Sequence, residues 1–61
     1  MTKITKAQYK ALEFAGGHIA AGNVPAFFRS VASICRAASS QKQAMAIQSL
    51  ADAMITGEAA Q

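Results

Sequence analysis

Gly22-Asn23-Val24-Pro25 and Ser39-Ser40 cut this chain of 61 residues into three segments, each with its apolar residues at helical spacing. No stretch alternates apolar and polar residues as a half-buried strand does, so the pattern predicts an all-α protein. Thr5 followed by Gln8 has the form of a capping box and opens the first helix, expected over about 5–21. Its apolar face reads Ile4, Ala7, Ala11, Phe14, Ala15, His18 and Ile19, with Gly22 or Asn23 as the left-handed cap.

Pro25 suits the first position of a second helix over about 25–38, which leaves Val24 non-helical. Phe27, Phe28, Val31, Ile34, Cys35 and Ala38 share one face of it; Arg29, Ser30, Ser33 and Arg36 line the other. Ser40 with Gln43 repeats the capping-box form and starts a third helix over about 41–56, with Gly57 as its cap and a frayed tail beyond. The expected architecture is one small domain in which a short first helix packs across an antiparallel helical hairpin.

At this length folding buries only about 60% of the surface the unfolded chain exposes. Fifteen of the apolar residues are alanine, so larger side chains must carry the core. The apolar arc of the third helix, Ala44, Ala46, Ile47, Leu50, Ala51, Ala53, Met54 and Ile55, is wider than one neighbouring helix covers. That width predicts a homo-oligomer, with Ile47, Leu50, Met54 and Ile55 at its interface.

Cys35, a lone cysteine, forms no internal disulfide and suits a reducing compartment. The longest uncharged run, Phe14 to Phe28, is broken by Gly16, Gly17, Gly22, Asn23 and Pro25 and falls short of the roughly 20 apolar residues of a membrane span. Met1 leads directly into an amphipathic pattern without a signal-peptide core, and the expectation is a cytoplasmic protein.

His18, Cys35, Glu13, Asp52 and Glu58 share no catalytic or metal-ligating spacing, so neither an enzyme nor a cofactor or metal site is expected. The third helix, with Lys42 at its start and Asp52 on its wet strip, makes a poor DNA-recognition helix. The net charge of +3 favours an anionic partner. Arg29 and Arg36, with Ser33 between them, form a donor-rich strip suited to phosphate oxygens, or a plain solvated helix face. Tyr9 offers a stacking surface, and Ser33 and Lys42 complete the expected ligand-binding set of Tyr9, Arg29, Ser33, Arg36 and Lys42. Gly16 and Gly17, read as projecting to the polar side, either admit another chain or ligand closely or kink the helix.

The stretch Ser40-Gln41-Lys42-Gln43-Ala44-Met45-Ala46-Ile47-Gln48-Ser49-Leu50-Ala51-Asp52-Ala53-Met54 resembles the second half of the helical hairpin in phage sponge proteins that sequester cyclic-nucleotide immune signals. The resemblance covers about a quarter of the chain; the family's habit of an acidic residue soon after the cap is not followed, with Lys42 nearby instead, and the aromatic often found near the end of the last helix is missing. It implies a multimer holding a nucleotide signal between protomers through aromatic and basic residues. Two function classes follow: a homo-oligomer that sequesters a small phosphorylated ligand, and a stoichiometric inhibitor or adaptor that docks an apolar helix face on a host protein.

Overall fold

The computed structural model describes residues 3–59, with the side chains of residues 58 and 59 left out. It is all-α: α1 spans Lys6–Ala20, α2 Val24–Arg36 and α3 Gln41–Ala59. At about 1.5 Å per residue α3 is close to 28 Å long, and it sets the longest dimension of the fold, 31 Å.

Each helix starts on a side chain that accepts from its first turn. At α1 the Thr5 hydroxyl accepts from the Gln8 amide at 3.2 Å while the Gln8 side chain accepts from the Thr5 amide at 2.8 Å, the reciprocal box expected there. Asn23 caps α2 by accepting from the Ala26 amide. Helix α2 therefore begins one residue earlier than expected, with Val24 helical and Pro25 second. A proline there sacrifices no bond, because first-turn amides have no acceptor within the helix. The Ser40 hydroxyl accepts from the Gln43 amide at 3.1 Å. The return half of that box is absent, because the Gln43 side chain turns to Ser39 instead.

Helix ends depart from expectation at two places. Helix α2 stops at Arg36, two residues early, because Ala37 and Ala38 turn the chain toward Ser40. Helix α3 runs through Gly57, which takes no left-handed conformation; without that reversal a glycine does not end a helix. Of the tail expected to fray, residues 60 and 61 lie outside the described residues. Gly22 does end α1, at φ +78°, with its own amide donating to the Ile19 carbonyl and that of Asn23 to the His18 carbonyl.

Two side chains from each helix make the core: Leu12 and Ala15, Phe27 and Val31, Ile47 and Ala51. The buried face of α1 is rotated by roughly one residue, about 100°, from the stripe expected, so that Leu12 is enclosed while Ala7 lies exposed and Phe14 is 80% exposed. Gln8, given only a capping role by the sequence pattern, lies half-buried on the packed side, where its amide has a buried partner. Phe28, expected inward, is 49% exposed. Helix α1 is continuous through Gly16-Gly17. Gly16 faces α3 rather than the polar side, where a Cβ would lie 3.0 Å from Cε of Met54, and Gly17 faces open space.

Part of the wide arc of α3 is covered inside the chain, because both α1 and α2 pack on it, while Ala53 lies exposed. Ile47 is wholly enclosed, and Leu50, Met54 and Ile55 pack half-buried on the same core. Ile47, expected at an oligomer interface, is thus part of the chain's own core, while Leu50, Met54 and Ile55 keep part of their surface outside it.

Gln43, 6% exposed, is the polar centre of the fold. Its Oε1 accepts from the Ser39 amide at 2.7 Å, the Ser39 hydroxyl at 3.0 Å and Gln8 Nε2 at 3.0 Å, while its Nε2 donates to the Lys3 carbonyl at 2.9 Å. Gln8 meets Gln43 near the start of both helices and Gly16 meets Met54 further along both, so α1 and α3 run in the same direction.

Gln43→Leu keeps the size of the side chain but strands the Ser39 amide and the Lys3 carbonyl; chemical denaturation is expected to show a loss of about 1–3 kcal/mol. Gly22→Ala forces a Cβ into left-handed backbone and is expected to cost about 1 kcal/mol in the same assay.

Candidate anion-binding end of the fold

The Gln43 bonds determine where the charged side chains lie. Lys3 supplies one of its partners, Lys6 sits between Thr5 and Gln8, Arg36 ends the helix three residues before Ser39, and Lys42 precedes Gln43 itself. Four of the six cations, Lys3, Lys6, Arg36 and Lys42, are thereby gathered at one end of the fold, all of them exposed. Residues 1–12 and 36–51 contain no Asp or Glu, so no acid close in sequence neutralises them.

Helix direction adds to this charge. Helices α1 and α3 both begin at that end, where their first-turn amides carry partial positive charge, offset in part by the C-terminus of α2 beside Arg36, and neither has an acid in its first turn. Lys42, in the first turn of α3, opposes the favourable sign of the helix dipole. Asp52 lies far along α3 and accepts from Gln48 at 3.1 Å.

Of the five residues expected to bind a ligand, Arg36 and Lys42 come together at this end, and Tyr9, 49% exposed, stands one turn above Thr5 on α1. Arg29 and Ser33 share the solvent face of α2 with Arg36, opposite Phe27 and Val31. Seven residues of helix, about 10 Å, separate Arg29 from Arg36, which places Arg29 away from the basic end. Lys3 and Lys6 were not among the expected site residues. The missing signal was the pairing of Gln8 with Gln43, 35 positions apart.

Among the described residues, no three of His, Cys, Asp and Glu come together as metal ligands would. His18 packs edge-on against Phe14, ring centroids 6.4 Å apart, and Cys35 Sγ donates to the Ala44 carbonyl at 3.6 Å. Both side chains thus have packing partners. No helix among the described residues is long and apolar enough to cross a membrane. No family model matches the chain, and no curated protein or solved structure matches it either.

Because Lys42 opposes the dipole of its own helix, Lys42→Glu is expected to leave the thermal midpoint unchanged or raise it, by a stabilisation of about 0.3–1 kcal/mol. Thermal melts at low salt check this, and the gain should shrink as salt is added.

Proposed function

We propose that this protein is a small non-enzymatic binding protein that sequesters a phosphorylated ligand of the cyclic-nucleotide class, working as a homo-oligomer in the manner of the phage sponge proteins that residues 40–54 resemble. The observation that carries the proposal is the acid-free end where Lys3, Lys6, Arg36 and Lys42 surround two helix N-termini. Phosphate oxygens take forked donors from Arg36, point charges from the lysines and partial charge from the helix ends. Tyr9, one turn away, supplies a face on which a base can stack. Arg29 and Ser33 extend the donor row along α2 for a ligand, or a second copy, that reaches that far. A single convex helix end does not enclose a small molecule, which is why the proposal includes assembly; the hairpin-with-first-helix arrangement of that family belongs to the same proposal.

A second function class has one observation in its favour. Phe14 is 80% exposed and Phe28 49% exposed, both more than burial alone would leave on a chain short of large apolar side chains. An inhibitor or adaptor docking on a host protein would use such side chains.

Calorimetric titration with cyclic di- and trinucleotides, read beside native mass spectrometry, separates the two. Wild type is expected to bind, Arg36→Ala and Lys42→Glu to lose affinity by about tenfold or more, and Arg29→Ala to lose less, all with unchanged helix content. Equal heats in the Arg36 and Lys42 variants, or no heat with any nucleotide, would overturn the proposal and favour protein docking.

A further inference from the structure

Two features of α1 have no role inside the fold. Gly17 is an exposed glycine in the last turn of α1, where alanine would favour the helix more, and a side chain added there would meet nothing within 4 Å. Phe14, one turn earlier, leaves its ring in water apart from the edge contact with His18. Gly16, by contrast, is explained within the chain, since Met54 fills the space over it.

Lys10, Phe14, Gly17 and Ala21 follow one another at spacings of four, three and four residues and form a straight row on the outer face of α1, away from Leu12 and Ala15. Within that row a bulky knob stands next to a bare stretch of backbone. A two-fold axis passing between Phe14 and Gly17 places the ring of each copy over Gly17 of the other, the self-complementarity that an isologous contact requires.

Charge selects the antiparallel pairing. A parallel pair would set Lys6 and Lys10 against their own copies and bring the two basic ends together. The antiparallel pair separates those ends and lays Lys10 beside the partner's Ala21, at a helix C-terminus whose carbonyls carry partial negative charge.

We infer that the outer face of α1 is a self-association surface on which a second copy of this chain packs antiparallel, with Phe14 seated over Gly17 of the partner. The inference rests on the homo-oligomer of the proposed function for its choice of occupant, but the contact needs no ligand. One pair of short helices buries less than the roughly 1,200 Å² of a small specific interface, so the dimer is weak and depends on concentration.

Sedimentation velocity of the ligand-free full chain over a concentration series tests it, with a circular-dichroism melt of each variant as the control for folding. Wild type is expected to dimerise, and Phe14→Ser, which removes an exposed ring, to keep its melt while its dimerisation weakens about tenfold or more, as for a central aromatic anchor. Gly17→Leu separates this contact from general stickiness. It improves helix propensity and adds apolar surface, yet fills the hollow, so it is expected to raise the melting temperature and weaken the dimer. A wild type monomeric at every concentration, or a Gly17→Leu dimer as tight as wild type, would overturn the inference. So would monomers that bind vesicles of anionic phospholipid through Phe14, since the face would then belong to a membrane surface. Nucleotide titration of the dimer tests the ligand separately: a dimer that binds no nucleotide upholds this contact and rejects the ligand.

Discussion

A glutamine buried at the start of α3 determines how the rest of the fold is arranged. The Gln43 carboxamide meets four partners from three parts of the chain: the segment before α1, the Gln8 side chain on α1, and the amide and hydroxyl of Ser39 in the turn before α3. A carboxamide taken out of water without partners is strongly disfavoured, so burial of Gln43 is tolerable only in the arrangement that supplies all of them. Hydrophobic contacts tolerate sliding and rotation, whereas these bonds specify which residue of α1 stands beside which residue of α3. No buried side-chain nitrogen or oxygen among the described residues lacks a partner.

The apolar core supplies cohesion with less specificity. It is small, two enclosed residues per helix, and Ala15 and Ala51 make up a third of it. Alanine brings helix axes close but buries little area, so the larger share of apolar burial falls to Leu12, Phe27, Val31 and Ile47. The half-buried ring around them, including Ile19, Ile34, Leu50, Met54 and Ile55, uses the apolar arc of α3 within the chain. Apolar surface left for self-association lies on the outer parts of Leu50, Met54 and Ile55 and on exposed side chains such as Phe14.

Stability and charge pull against each other at the basic end. A carboxylate in the first turn of α1 or α3 would suit the helix dipole, and the chain has cations there instead. Like charges held together without acids weaken a fold slightly and attract anions. Salt screens such a field within about 8 Å at physiological ionic strength, so its effect is confined to ligands near the surface.

Local chemistry made much of the fold legible. Thr5 with Gln8, Ser40 ahead of Gln43, and Gly22 each act within a few residues, and helical periodicity alone placed Phe27 and Val31 on one apolar face and Ile47 and Ala51 on another. Asn23, read only as a cap of α1, instead caps α2. What local pattern could not give was the rotation of α1, the inward turn of Gln8 and Gln43, the role of Gly16 and the gathering of Lys3, Lys6, Arg36 and Lys42. Each depends on a partner far along the chain: Gln8 on Gln43, Gly16 on Met54, Ser39 and Lys3 on one amide group. The sequence by itself determined where helices start and which residues are apolar, because capping and periodicity are short-range. Only the tertiary structure decided which polar residues are buried and which charges become neighbours, because a polar side chain goes inside only where the packed chain brings its hydrogen-bond partners to it.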